Sequence, residues 1–120
     1  MTRLMYVLTH DPKERLELVS GVFAQAITAL SFGYEAEMFL MDKAVKTAVK
    51  GYADGLKAET FPSLQELIDM FSEMEGKLYI CAPFAQSHNI RKDDCLPACT
   101  DFVDAGLLVV HAKDSVVFTF

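Results

Sequence analysis

The chain has 120 residues, 52% of them apolar and 23% charged, with a formal net charge of −6. That size and composition predict one globular domain with its own core, not a disordered chain. The acidic balance argues against sequence-independent binding of nucleic acid and against polybasic attachment to a membrane. No apolar run approaches the roughly 20 residues of a membrane span.

Residues 3–9, RLMYVLT, form a short apolar run bounded by HDP and read as a buried strand. Only about five apolar residues precede His10, too few for the apolar region of a signal peptide. A cytoplasmic location is therefore expected. Asp11 followed by Pro12 looks like a helix N-cap and first helical position, with Glu14 three residues on. The helix should run to about Phe32 and stop at Gly33. Its apolar positions Leu16, Val19, Phe23, Ala26, Ile27 and Leu30 recur at three- and four-residue spacing.

Residues 35–41, EAEMFLM, predict a second strand. The segment 42–62 is less regular, with Gly51 and Gly55 breaking a short helical pattern. Ser63 opens a firm helix, with Glu66 at the capping-box position and Gly76 at the end. Leu64, Leu67, Ile68 and Phe71 line its apolar face. KLYIC, 77–81, predicts the third strand, and a short helix is expected after Pro83. Asp93 or Asp94 is expected to cap a further helix reaching about Asp104 and ending at Gly106. LLVVH, 107–111, reads as strand four and SVVFTF, 115–120, as strand five.

Apolar strands separated by helices imply an α/β fold: a single-domain three-layer sandwich with a mainly parallel five-stranded sheet and helices on both faces. Only AKD separates the last two runs, too short for a parallel crossover. Strand five should therefore pair antiparallel with its predecessor or leave for another part of the sheet. The six methionines read as core filler.

Ligands of open parallel sheets bind beyond the carboxyl ends of the strands. Thr9-His10, Met41-Asp42 and Cys81 mark three such ends. THDPKERL contains no Gly, which disfavours a dinucleotide or P-loop site, although a small anion remains possible at the following helix starts. Cys81 ends a central strand just before a helix start, a place that favours thiolate. The competing reading is a small buried residue.

Cys95 and Cys99 form C-x-x-x-C. On one helical face their Cβ atoms would lie about 5–6 Å apart, whereas a disulfide wants roughly 3.5–4.5 Å. Any disulfide is therefore expected between Cys81 and Cys95, with Cys99 packed. Pro97 places Cys95 at or before the helix start, where its thiol pKa would also fall. An odd number of cysteines in a reducing compartment argues against a structural disulfide framework. A set of His88, Cys81, Cys95 and Cys99 matches no standard zinc spacing, so no metal site is expected. His10 stands at a carboxyl end and His111 at the end of predicted strand four; an ordinary surface role is the expectation for each.

The order of these features resembles the DsrE/DsrF-like sulfur-relay family over nearly the whole chain. RLMYVLTHDPKERLELVSGVFAQAITALSFGYEAEMFLMD is similar to its first strand, long helix and second strand. FPSLQELIDMFSEMEGKLYICAPFAQSHNI is similar to its second helix and cysteine-bearing strand, and LVVHAKDSVVFTF to its carboxyl-terminal strands. The resemblance implies a compact subunit assembled into a homo-oligomer, a trimer or hexamer. It also implies that Cys81 carries sulfur as a persulfide between donor and acceptor proteins, with no organic cofactor. Ser87 and His88 stand where sulfur-transferring relatives carry a basic pair, and Asn89 where they carry Gly; Asn tolerates the left-handed turn. Within this reading Cys95 is a resolving or second carrier thiol, and His10 or His88 assists proton transfer. Two alternatives stand beside it: a non-catalytic oligomeric small-ligand-binding or scaffold subunit, and a thiol redox sensor using Cys81 with Cys95.

Overall fold

A computed structural model describes residues 2–120. Five strands form one sheet: β1 (Arg3–Leu8), β2 (Glu35–Leu40), β3 (Lys77–Cys81), β4 (Cys99–Val103) and β5 (Ser115–Thr119). Their order is β4-β3-β2-β1-β5, and every neighbouring pair is parallel. Four helices accompany them: α1 (Leu16–Ser31), α2 (Leu64–Glu73), α3 (Ala82–Ser87) and α4 (Ala105–Lys113). The three-layer α/β architecture expected from the sequence is present, and the sheet is wholly parallel.

The alternation of each strand sorts its side chains between two cores. Tyr6, Leu8, Met38, Leu40, Leu78 and Ile80 meet Val19, Phe23 and Ala26 of α1 and Leu64, Ile68 and Phe71 of α2. Phe23 and Phe71 touch edge to face, 5.8 Å between ring centres. The residues between them in sequence, Met5, Val7, Phe39 and Cys81, face the other way. There they meet Leu107, Leu108 and Ala112 of α4.

Several local expectations hold. Gly33 ends α1 at φ 88°, in the left-handed region. The Ser63 hydroxyl accepts from the Glu66 N–H at 3.2 Å and opens α2. Gly76 cannot carry a side chain in place, because a Cβ there would sit 2.5 Å from the Phe71 ring.

Three expectations are corrected, and the irregular segment after β2 takes a definite form. Asp11 does not cap α1. Its backbone carbonyl accepts from Glu14 and Arg15, and its carboxylate from Lys13, closing a separate turn before the helix starts at Leu16. Residues 42–48 wind as a 3-10 segment, Asp42–Ala48, and pack Ala44, Val45 and Ala48 into the first core. The helix expected from 93 to 104 is absent: a three-residue 3-10 turn, Lys92–Asp94, leads to a loop and then β4. Strand four expected at 107–111 is α4, which Asp104 caps by accepting from Gly106 N–H at 2.9 Å.

The last correction explains the last strand. β4 and β5 lie on opposite edges of the sheet. The connection between them is α4, a true crossover that passes over the second face. β5 therefore leaves its predecessor and pairs parallel with β1, Arg3 opposite Ser115 and Val7 opposite Thr119.

Candidate functional site

The site begins with β3. Leu78 and Ile80 anchor the strand in the first core, which turns Cys81 to the second face. The strand stops there because Ala82-Pro83 starts α3, with Cys81 at φ −68° and ψ 114° as the residue before the helix. Cys81 is 6% exposed, surrounded by Met5, Val7 and Phe39 below and by Leu107, Leu108 and Ala112 of α4 above. These neighbours are all apolar. α3 spans six residues, under two turns, so its dipole is small.

Beyond Cys81 the chain turns sharply. Asn89 takes φ 58°, and the Ile90 N–H returns to the Ala85 carbonyl at 2.8 Å. Asn thus fills the left-handed position ascribed to Gly in sulfur-transferring relatives. The His88 backbone N–H closes the end of α3 on the Phe84 and Ala85 carbonyls. His10 follows β1, with its Nδ1 3.5 Å from the Thr9 hydroxyl. β1 is two strands from β3, so about 10 Å of sheet separates the His10 and Cys81 backbones.

Cys95 lies elsewhere. It is buried in the first core, while Cys81 is in the second, so the sheet stands between the two sulfurs. The expected Cys81–Cys95 disulfide, and a redox sensor built on it, have no geometry to use. Cys99 opens β4 opposite Leu78 and packs on the same side as Cys95. The Cys95 thiol donates to the Arg91 carbonyl at 3.5 Å, and Cys99 is its neighbour. Burial pushes both thiols up, Cys99 to about 12 with the neighbouring Cys95 adding to the effect. The lowered Cys95 pKa expected at a helix start is therefore reversed, because that helix is absent and the thiol is desolvated. Among the described residues, no group of three or more His, Cys, Asp or Glu side chains is arranged to hold a metal ion.

Two polar clusters were not foreseen. On the second face, Glu37 is 6% exposed and lies 2.7 Å from His111 Nδ1. Arg3 closes the group, donating to Ser115 Oγ at 2.7 Å and to the His111 carbonyl at 2.8 Å. His111 thus ties α4 to the sheet and does not approach the carboxyl ends of the strands. On the first side, Asp11 is 4% exposed, and its two carboxylate oxygens share the one Tyr52 hydroxyl proton, at 2.9 and 2.8 Å. Lys46 adds an ion pair at 3.6 Å. Burial and then the Asp11 carboxylate push the Tyr52 hydroxyl up to about 12. The available signal was Glu37 itself: a carboxylate within a strand buried on both faces requires a partner.

The model of the DsrE/DsrF-like family matches residues 3–120. The chain belongs to that family. Its fold is similar to that of the ychN protein of E. coli, with a TM-score of 0.83 and 16% identity over 100% of both chains. It is also similar to MTH1491, a protein of unknown function from Methanobacterium thermoautotrophicum, with a TM-score of 0.71 and 14% identity over 100% of both chains. BT1422 of Bacteroides thetaiotaomicron, likewise of unknown function, gives a TM-score of 0.69 and 11% identity, covering 98% of this chain and 94% of that one. No curated protein sequence matches the chain. Among the described residues no helix is long and apolar enough to cross a membrane.

Proposed function

We propose that the protein is a cytoplasmic sulfur-relay subunit that holds sulfane sulfur on Cys81. The observation that carries this reading is the position of Cys81 at the carboxyl end of β3, in a chain of the DsrE/DsrF-like family. The Cys81 thiolate attacks the outer sulfur of a donor persulfide, and the donor leaves as a thiol. An acceptor thiolate then attacks the same sulfur, and Cys81 returns as a thiol. The apolar lining supports the storage step, because it keeps water and competing thiols from the persulfide. Transfer requires α4 to yield, and α4 has no fully buried residue of its own.

The subunit is proposed to work as a homo-oligomer, a trimer or hexamer, with separate donor and acceptor proteins. Val109 and Val110 on the outer side of α4, and Val117 on β5, supply exposed apolar surface for assembly. His10 and His88 are at most helpers in proton transfer from the rim.

One observation favours a second reading, an oligomeric ligand-binding or scaffold subunit: the burial of Cys81 at 6% exposure. Intact mass spectrometry after incubation with a sulfane-sulfur donor separates the two. The relay reading expects one added sulfur atom on the wild type and none on Cys81→Ser. Equal loading of both proteins, or of neither, moves the assignment to the scaffold.

A further inference from the structure

Cys95 and Cys99 stand apart from the Cys81 site, and three features of the chain bring them together. Pro97 occupies the second position of a turn closed by the Cys99 N–H on the Leu96 carbonyl at 3.0 Å. That turn folds the three intervening residues back and makes the two thiols neighbours, each influencing the other's protonation, with no helix between them. Cys95 is fixed on one side of the turn by its bridge to Val49, flanked by Leu96 N–H to the Ala48 carbonyl and Lys50 N–H to the Asp94 carbonyl, each 2.8 Å. Cys99 is fixed on the other side as the first residue of β4, opposite Leu78. Both side chains face the same core and neither is in a disulfide; the Cys95 thiol donates to the Arg91 carbonyl at 3.5 Å.

From this geometry we infer that Cys95 and Cys99 form a reversible dithiol–disulfide site that closes within the native fold. The oxidant is a low-molecular-weight disulfide. One thiol of the pair gives its proton to solvent and attacks a sulfur of the reagent, which releases one thiolate and leaves a mixed disulfide. The second thiol, deprotonated in turn, attacks the protein sulfur of that mixed disulfide and expels the other half. Two electrons and two protons pass from the protein to the reagent, which leaves as two thiols. The ring closed is short, so the bond adds little loop-closure entropy to stability and remains reducible. Closed, it staples the start of edge strand β4 to Cys95, whose backbone is paired with residues 48–50. The site does not depend on sulfur transfer at Cys81.

Equilibration of the native protein with excess oxidised glutathione, followed by alkylation and tryptic mapping, tests the inference. Trypsin separates Cys81, in peptide 78–91, from Cys95 and Cys99, together in peptide 93–113. The expected result is peptide 93–113 lighter by two hydrogens, with Cys81 not joined to it. Cys81→Ser should give the same product. Cys99→Ser should instead retain glutathione on Cys95 or stay unmodified, with no internal bond. Crosslinked peptides 78–91 and 93–113, stable glutathione on Cys95 or Cys99 of the wild type, or two free thiols at equilibrium would each overturn it. So would a bond that forms only after denaturant has unfolded the chain.

Discussion

The two faces of the sheet are built to different standards. The first carries α1, α2 and the Asp42–Ala48 segment over a continuous core in which Phe23, Phe71, Leu64 and Ile68 are fully buried. The second carries α4 alone, a nine-residue helix with no fully buried side chain. Chain connectivity causes the asymmetry. The first three crossovers lie on one side, and the single connection from the β4 edge to the β5 edge is all that reaches the other. Apolar contact is scarce there, and a polar clasp centred on buried Glu37, with half-buried Arg3 and His111 around it, holds α4 in its place. The lesson is that Cys81 sits under the least anchored element of the fold, while Cys95 and Cys99 pack on the side of the deeper core.

This contrast is broken most directly by one substitution on each face. Phe71→Ala empties the first core and should cost about 3–5 kcal/mol, as for other buried aromatic truncations. His111→Ala removes the partner of buried Glu37 and should cost about 1–3 kcal/mol. The two should differ in kind as well as size. His111→Ala should raise the alkylation rate of Cys81 by about tenfold for each 1.4 kcal/mol lost in α4 docking, and leave amide exchange in α1 slow. Denaturant titration and thiol kinetics measure both. An alkylation rate for Cys81 unchanged by His111→Ala would remove α4 from the gate.

The second test sharpens the account of the well-anchored side. Tyr52→Phe deletes the hydroxyl that serves both oxygens of Asp11. Lys46 and the Lys13 N–H still hold the carboxylate, so the expected cost is about 1–2 kcal/mol. It carries a pH signature. The folded Tyr52 hydroxyl titrates at about 12 against an ordinary 10, so its protonated form is favoured by folding. That contribution is fully present below pH 10 and is lost as pH rises from 10 through about 12. The stability gap between wild type and Tyr52→Phe should therefore narrow across that window. A gap constant from pH 8 to 12 would place the hydroxyl outside the linkage.

How far the sequence revealed this molecule follows the same division. The first face was legible because its elements carry single, strong patterns. β1 and β3 carry continuous apolar runs and β2 one interrupted only by Glu37, α1 and α2 have helical spacing, and Ser63 and Gly33 punctuate them. The second face was misread because its sequence signals point the wrong way. LLVVH has the β-branched content of a buried strand, yet Asp104 caps it as a helix and Leu107, Leu108 and Ala112 find a sheet to cover. CTDFV has polar Thr100 and Asp101 because β4 is an edge strand with a neighbour on one side only. Exchanging those two assignments put Cys95 and Cys99 on a helix and separated thiols that a Pro97 turn brings together. Glu37–His111 and Asp11–Tyr52 join residues 74 and 41 positions apart, and no local pattern announces such pairs. Cys81 stands at the end of β3 as the sequence placed it, and its burial, one of the two readings open there, is completed by α4.

The smallest expected effect on folding is also the one that tests assembly. Val110 is 63% exposed on the outer side of α4, beside Val109 at 67%. A lysine there loses little packing within one subunit, and surface changes of this kind usually stay within about 0.5 kcal/mol. Denaturant midpoints of wild type and Val110→Lys, compared below the association range, should therefore nearly coincide. The proposed oligomer predicts a different result at higher concentration. A charge placed in an apolar contact must be desolvated without a partner, so association should weaken strongly while the fold persists. Sedimentation at micromolar concentration should show the wild type above 13.4 kDa and Val110→Lys shifted toward that mass. Identical sedimentation of the two proteins as oligomers would move the contact away from α4, and a wild type that sediments only as the single subunit would sink the assembly itself. α4 would then face water on its outer side, held to the sheet by Leu107, Leu108, Ala112 and the Glu37 clasp alone.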